Sequence, residues 1–311
     1  MADIFIYTPF LSCYNRHIRL EVSSMSLQGL MFRLSAGRND RKRNAATALP
    51  QGVCQQRHIL YSRRCRLDVY YPEGTTQPLP TIVSIHGGGY VYGNREIYRL
   101  YCMDLARRGF AVVNFDYRLA PRWHFPAPLE DTNAVMDWIC RNAQGYHLDP
   151  QRLFLVGDSA GAQIASQYAA IATDPDYAAL FSLRVPPIHI RGMGLNCGMY
   201  DAAELTQGER TGVMKDYLGT KLSSHDPRFQ VFAHIGKNYP PAQITTACHD
   251  FLRDNAQPMY DFLRSKGLDA EVICYGTEDD QTIGHVFHVD IRLAEATSCN
   301  DRQCAFFLVH S

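Results

Sequence analysis

Apolar runs of two kinds recur along the chain from His58 onward and predict the strands of a sheet. Residues 67–71 alternate between apolar and polar positions and stop at Pro72, which is typical of a half-buried strand. Other runs are short and continuously apolar, as in strands that are buried on both faces of a parallel sheet. These runs are residues 81–85, 110–115, 153–156, 190–195, 243–247 and 270–275.

Helical patterns lie between these runs. Leu129, Thr132, Val135, Met136 and Ile139 share one helical face after Pro128. A second pattern over residues 256–266 has Pro258 in its first turn and Gly267 after its end, where such residues begin and stop helices. Strands that alternate with helices predict an α/β fold, with a mainly parallel central sheet and helices on both faces.

Residues 1–56 do not follow this alternation. They include a basic, polar stretch at residues 37–44, which we interpret as a solvated linker. The tripeptide Arg41-Lys42-Arg43 leaves a nuclear-localisation signal open as the weaker alternative. The main α/β domain is therefore expected to begin near residue 57 and to run to residue 311.

Composition narrows the choice of partners. The 311 residues are 46% hydrophobic and 20% charged, and 31 Lys+Arg balance 31 Asp+Glu, so nothing favours nucleic acid or an anionic membrane surface. No apolar run approaches the 18 residues or so of a membrane span, and the N-terminus lacks a basic start, so no membrane span or signal peptide is expected. The ten cysteines, without a CxxC pair, are expected to be reduced in a cytoplasmic protein.

A serine stands between a strand pattern and a helix pattern. The string Gly157-Asp158-Ser159-Ala160-Gly161 follows residues 153–156 and leads into an apolar helical stretch. Acyl transfer needs a hydroxyl held out on a sharp strand-to-helix turn, and small flanking residues permit that turn. Ser159 is therefore the predicted nucleophile.

Three glycines after His86 predict the partner of this nucleophile. A tetrahedral oxyanion is stabilised by backbone N–H groups that can approach closely because no side chain intervenes. Gly88 and Gly89 are the best placed of the three, and the N–H of Ala160, next after the serine, is the third predicted donor. A flexible turn is the alternative interpretation of the glycines.

Asp250 and His285 complete a predicted triad. Asp250 follows the strand pattern 243–247, His285 lies on a later loop, and the order Ser, Asp, His is that of α/β-hydrolases. His285 would take the proton of Ser159, and Asp250 would fix the tautomer of His285. The weaker alternatives are His288 and His249 for the base and Asp254 for the acid.

Several strings together resemble the hormone-sensitive-lipase branch of the α/β-hydrolases, which holds many bacterial carboxylesterases. The likeness covers about residues 60–290. The matching strings are His86-Gly-Gly-Gly-Tyr-Val-Tyr-Gly93, Asp116-Tyr-Arg-Leu-Ala-Pro121, Phe125-Pro-Ala-Pro-Leu-Glu-Asp131, Gly157-Asp-Ser-Ala-Gly161, Asp250-Phe-Leu-Arg-Asp254 and the loop at His285. Three positions depart from the usual family strings: Arg122 stands in place of Glu, Phe251 in place of Pro, and Val286 in place of Gly.

The resemblance implies a helical cap over the active site, made of residues 1–56 and a second insertion near residues 201–232. It also implies hydrolysis of short-acyl esters through a covalent acyl-serine, with no metal or cofactor. Tyr90 and Asp158 are expected to bind the substrate, a small-molecule ester, and Tyr90 and Tyr92 favour acetyl to butyryl groups. The resemblance leaves a homodimer open.

Two other functions stay open at this point. The same triad hydrolyses amides in amidases and deacetylases, and fold likeness does not decide between the two bonds. A ligand-binding protein without catalysis is known on this scaffold where the triad histidine is lost, and this chain keeps His285.

Overall fold

The computed structural model describes residues 25–201, 212–219 and 225–311, and an eight-stranded sheet forms its centre. Each continuous apolar run of the sequence lies in a strand of this sheet. The strands are β1 (Val53–Leu60), β2 (Arg66–Pro72), β3 (Leu79–Ile85), β4 (Ala111–Phe115), β5 (Leu148–Asp158), β6 (Ile190–Asn196), β7 (Ala242–Ala247) and β8 (Ala270–Tyr275).

The sheet is mainly parallel. Its order is β1-β2-β4-β3-β5-β6-β7-β8. Strand β2 pairs antiparallel with β1 and with β4, and every other neighbouring pair is parallel. The carboxyl ends of β3, β5, β7 and β8 therefore lie along one edge of the sheet, where the loops that follow them can meet.

Helices cover both faces of the sheet. Alternate residues of β3 separate the two sides: Ile82 packs with Phe307 of the last helix, whereas Val83 belongs to the larger core cluster that contains Ile164. The described helices are α1 (Leu27–Ala45), α2 (Arg95–Ala106), α3 (Ala127–Asn142), α4 (Ala160–Thr173), α5 (Pro175–Leu180), α6 (Gly212–Leu218), α7 (Ala256–Ser265) and α8 (Ala294–Val309). In the described residues, no helix is both long and apolar enough to cross a bilayer.

The N-terminal region differs from the sequence prediction in two ways. Residues 37–44, interpreted as a linker, lie within α1, whose N-cap Ser26 accepts a hydrogen bond from the N–H of Gly29. The interpretation was wrong because it relied on the many charged residues of this stretch. One face of the helix nevertheless contacts the rest of the chain. The predicted boundary at residues 56 and 57 falls inside β1, because residues 53–56 already pair with β2.

The second predicted cap segment is described in part. Residues 202–211 and 220–224 of that segment, and residues 1–24 of the first, lie outside the described residues. Helix α6 and two 3-10 helices, Pro227–Phe229 and Val231–His234, belong to the described part. The backbone N–H and the hydroxyl of Ser26 donate to the carboxylate of Asp216, at 2.9 and 2.7 Å, and so connect α1 to α6.

Candidate active site

Ser159 occupies a sharp turn between β5 and α4. Its φ is positive, 52°, with ψ −120°, a combination that is uncommon for a residue with a side chain. The two flanking glycines make this turn possible. A Cβ on Gly157 would lie 2.2 Å from the carbonyl oxygen of Gly161, and a Cβ on Gly161 would lie 2.0 Å from that of Ile85. The serine is half-buried and lines a cavity of about 770 Å³.

The glycine loop after β3 faces the same cavity. Gly88 and Gly89 both have positive φ, 117° and 57°, and a Cβ on Gly88 would meet the carbonyl oxygen of Tyr92 at 2.2 Å. Among the described residues, no hydrogen bond uses the backbone N–H of Gly88, Gly89 or Ala160. Three N–H groups without a partner in the described part of the chain thus border a cavity that Ser159 also lines.

His86 anchors this loop from below. Its ring is fully buried, stacks on Tyr117 at 4.1 Å, and contacts the carbonyl oxygen of Gly87 through Nδ1 at 2.8 Å. Burial lowers the pKa of His86 to about 4, so the ring is neutral at pH 7. The histidine that opens the glycine string is therefore a packing residue.

Asp250 and His285 form a hydrogen-bonded pair. Nδ1 of His285 donates to Oδ1 of Asp250 at 2.6 Å, so the proton sits on Nδ1 and the lone pair of Nε2 can accept another proton. The N–H of Leu252 and the hydroxyl of Thr246 also donate to this carboxylate, each at 2.9 Å. Burial alone raises the pKa of Asp250, but these hydrogen bonds outweigh it and bring the pKa below its ordinary value. The carboxylate is therefore ionised at pH 7.

The rival residues have other places. His288 is fully buried in the 3-10 helix Phe287–Val289, and burial lowers its pKa to about 3. Nε2 of His249 lies 3.1 Å from the carbonyl oxygen of Glu278. The side chain of Asp254 is fully exposed. None of the three shares the hydrogen-bonded arrangement of Asp250 and His285.

Tyr90 and Asp158, the predicted substrate-binding residues, are among the residues that line the cavity, and both are buried. The hydroxyl of Tyr90 donates to Gln163, and its ring stacks on Tyr217 of α6 at 3.7 Å. Asp158 accepts from the hydroxyl of Tyr98, which accepts in turn from the N–H of Gly87. Burial raises the pKa of Asp158 to about 6 despite the Tyr98 hydrogen bond. Asp158 thereby connects the serine turn to the glycine loop.

The residues that close the cavity from above were not among the site residues predicted from the sequence. Phe32, Ala36, Asn39, Asp40 and Arg43 of α1 line it, together with Val213 and Met214 of α6. The α1 residues follow one another at helical spacing, a signal that could have been read from the sequence. Val213 and Phe32 lie against the glycine loop, with atoms 3.1 and 3.5 Å from the position of a Cβ on Gly89.

One group of side chains in the described residues has the composition of a metal site. Potential ligand atoms of Cys197, Asp250 and His285 lie within 4.8 Å of one another. Two of these residues already share a proton through their hydrogen bond, and burial raises the pKa of the Cys197 thiol well above its ordinary value. A protonated thiol is a poor metal ligand, so this group fits an acid–base pair better than a metal centre.

Comparison with known proteins places this geometry in a family. A family model for the α/β-hydrolase fold matches residues 82–288. The versiconal hemiacetal acetate esterase of Dothistroma septosporum is 31% identical over 216 residues, which span 64% of this chain and 65% of that protein, slightly under two thirds of it. Carboxylesterase NlhH of Mycobacterium tuberculosis is 28% identical over 247 residues, 72% of this chain and 73% of that protein.

Solved structures agree on the fold. Esterase B from Lactobacillus rhamnosis, in a crystal structure inhibited with a tributyrin phosphonate, superimposes with a TM-score of 0.83 at 22% identity. The superposition covers 91% of this chain and 94% of that one.

The family match covers more than half of the chain, so the protein belongs to the α/β-hydrolase family. The predictions of the hormone-sensitive-lipase-like family, of the α/β-hydrolase fold and of the enzyme class, a carboxylic ester hydrolase, are thereby confirmed.

Proposed function

We propose that this protein is a serine carboxylesterase that hydrolyses short-acyl esters of small molecules through a covalent acyl-serine. The observation that carries the proposal is one cavity bordered by a serine with a positive φ, a hydrogen-bonded Asp–His pair and three backbone N–H groups that donate to no other group in the described part of the chain. These are a nucleophile, a base with its orienting acid, and an oxyanion hole.

In the proposed reaction, Nε2 of His285 takes the proton of Ser159 while Oγ attacks the ester carbonyl carbon. The N–H groups of Gly88, Gly89 and Ala160 donate to the resulting oxyanion. His285 then returns the proton to the alcohol oxygen, which leaves. A water molecule repeats the sequence on the acyl-serine and releases the carboxylic acid.

The surrounding residues support these roles. Asp250 holds His285 in the tautomer with the proton on Nδ1 and stabilises the imidazolium that forms. Asp158 fixes the glycine loop through Tyr98, and Tyr90 forms part of the wall of the substrate pocket. Val213 and Phe32 leave little space above Gly89, which favours a short acyl group. The acetate ester in the name of the Dothistroma relative agrees with this size.

The domain organisation is part of the proposal. With the boundary moved to the start of β1, residues 25–52 and the described part of the insertion near residues 201–232 would form the cap over an α/β-hydrolase core. Two contacts support this: α1 and α6 both line the cavity above the oxyanion glycines, and Ser26 binds Asp216 between the two helices.

A cytoplasmic location is also proposed. Nine cysteines of the described residues are free, including five that are buried, which agrees with a reducing compartment. A homodimer stays a prediction of the resemblance.

Hydrolysis of p-nitrophenyl esters from acetyl to decanoyl tests the proposed function. The wild type is expected to be most active from acetyl to butyryl, and Ser159→Ala is expected to lower kcat by about 10⁴-fold or more. Ser182→Ala is the matched control, because Ser182 also has a positive φ, 55°, but is exposed and does not line the cavity.

Activity that persists in Ser159→Ala would contradict the proposed nucleophile. A wild type that cleaves acetanilides faster than the matching phenyl esters would favour the amidase alternative. Tight binding of esters without any turnover, and no labelling of Ser159 by a fluorophosphonate, would favour the ligand-binding alternative.

A further inference from the structure

Phe251, directly after Asp250, is the one aromatic residue among the exposed large hydrophobic side chains of the described part of the chain. Its side chain is 75% exposed. One exposed apolar side chain is ordinary by itself, but this one also lines the active-site cavity. The family string commonly has proline at this position, so the aromatic ring is a feature of this chain.

The ring of Phe251 lies against the ring of His285. Their centroids are 4.2 Å apart and their planes are inclined by 41°. Both rings line the active-site cavity, as do Leu252, Gln281 and Thr282. The side chains that residues 251–252 and 281–282 contribute to this part of the cavity are uncharged.

The chemistry of the proposed reaction fixes which half of the substrate reaches this place, and the inference therefore rests on the proposed function. His285 must deliver its proton to the alcohol oxygen, so the alcohol group lies on the side of the imidazole. The carbonyl oxygen points instead toward the N–H groups of Gly88, Gly89 and Ala160. The residues around the imidazole consequently face the alcohol and not the acyl group.

We propose that Phe251 and Leu252 form a subsite for a flat, aromatic alcohol group, which stacks on the ring of Phe251. Aromatic pairs prefer offset or inclined arrangements and contribute beyond the apolar area that they bury. The binding of such a group removes the exposed ring of Phe251 from water. Gln281 and Thr282 add neutral polar side chains to the lining of the same cavity, which suits an uncharged alcohol better than an ionic one.

Three acetate esters test this subsite: benzyl, cyclohexylmethyl and ethyl acetate. They share the acyl group and are esters of primary alcohols, and the first two have six-membered rings of similar size. Phe251→Ala is expected to lower kcat/KM about tenfold for benzyl acetate, mainly through KM, and no more than about threefold for ethyl acetate. Cyclohexylmethyl acetate is expected to fall between them.

Two variants serve as controls. Phe251→Leu keeps an apolar side chain but has no ring. It should lose most of the ratio of kcat/KM by which the wild type favours benzyl over cyclohexylmethyl acetate. Leu308→Ala removes another exposed apolar side chain, which lies in α8 and does not line the cavity, and should leave all three rates unchanged. The thermal midpoint of each variant checks that the fold is intact.

The remaining outcomes would overturn the subsite. An equal loss on all three esters would mean that Phe251 acts by positioning His285, and no loss on any of them would mean that the ring does not contact the alcohol. If the wild type hydrolyses none of the three acetates and no p-nitrophenyl ester, the proposed function fails and the subsite falls with it.

Discussion

The two sides of the active-site cavity, its floor and its roof, differ in the kind of contact that holds them in place. The floor consists of the loops after β3, β5, β7 and β8, where backbone lies directly against backbone, as Gly161 does against Ile85, in addition to side-chain hydrogen bonds such as that from Tyr98 to Asp158. The described part of the roof consists of α1 and α6, which are joined by side-chain hydrogen bonds such as those from Ser26 to Asp216. Backbone contact tolerates almost no added atom, whereas a side-chain contact can be lost while both helices persist. The difference suggests that the floor fixes the chemistry and the roof adjusts the choice of substrate.

The largest expected effect is on the floor, at Gly88. A methyl group in Gly88→Ala would lie 2.2 Å from the carbonyl oxygen of Tyr92, so the loop must shift and carry its N–H groups away from the oxyanion. We expect kcat on p-nitrophenyl acetate to fall about 10²- to 10³-fold, the usual cost of losing an oxyanion donor.

Gly109→Ala is the control for backbone strain. Gly109 has a similar φ, 94°, but nothing lies within 4 Å of its added Cβ. The free energy of unfolding of Gly109→Ala should be about 1 kcal/mol lower than that of the wild type, while kcat stays at the wild-type value. A Gly88→Ala variant that keeps more than about a third of the wild-type kcat would contradict the assignment of this loop as the oxyanion hole.

The floor could be predicted from the sequence because its signals are local. The glycines around Ser159 and after His86 are required by contacts between residues near one another in the chain or at strand ends, and apolar runs identify the strands. The pairing of Asp250 with His285 followed from their order and loop positions. The turn at Val286 was less clear, since its left-handed backbone is not visible in a β-branched residue.

The roof could not be predicted in this way, because the contacts that hold it are remote in the chain. Ser26 and Asp216 are 190 residues apart, and neither has a pattern that points to the other. Helix α1 also carries a strong charge signal at residues 37–44, which hides the helical spacing of its cavity-lining residues. Phe251 went unassigned because its role depends on the neighbouring ring of His285.

The next effect in size is on the roof, at Asp216. Asp216→Ala removes the acceptor for the N–H and the hydroxyl of Ser26, so α1 and α6 should separate more easily. We expect a loss of about 2 kcal/mol in the free energy of unfolding and a rise of up to about tenfold in KM for butyryl esters. The kcat for acetyl esters should change by less than about threefold, because the floor is untouched.

Asp226→Ala is the matched control for this prediction. Asp226 also accepts hydrogen bonds in the second cap segment, but they come from Arg228 and not from α1. This variant should leave KM within about twofold of the wild type. If Asp216→Ala lowered kcat as strongly as KM rose, the roof would take part in the chemistry and the contrast with the floor would fail.

The smallest expected effect is on the stability of one loop of the floor, at Val286. Its backbone is left-handed, with φ 56° and ψ 31°, in the position where related proteins usually have glycine. Such a conformation costs a residue with a Cβ about 1–2 kcal/mol, and Val286 compensates by packing against the core and donating its N–H to Cys197 Sγ at 3.4 Å. The Ala variant keeps the backbone strain and loses the packing, whereas the Gly variant loses both. Val286→Gly should therefore be more stable than Val286→Ala by about 1 kcal/mol, measured by urea unfolding.

At Leu34, an exposed residue in the interior of α1, the order should reverse, because there alanine favours the helix over glycine by about 1 kcal/mol. If alanine were the more stable substitution at both positions, the turn after His285 would not hold its left-handed backbone in solution. The loop that carries His285 would then be the one part of the floor that can change its conformation, as the roof can. If glycine is the more stable substitution at Val286 alone, the loop of His285 does hold a strained backbone. Its contacts with the core and with Cys197 then compensate for that strain.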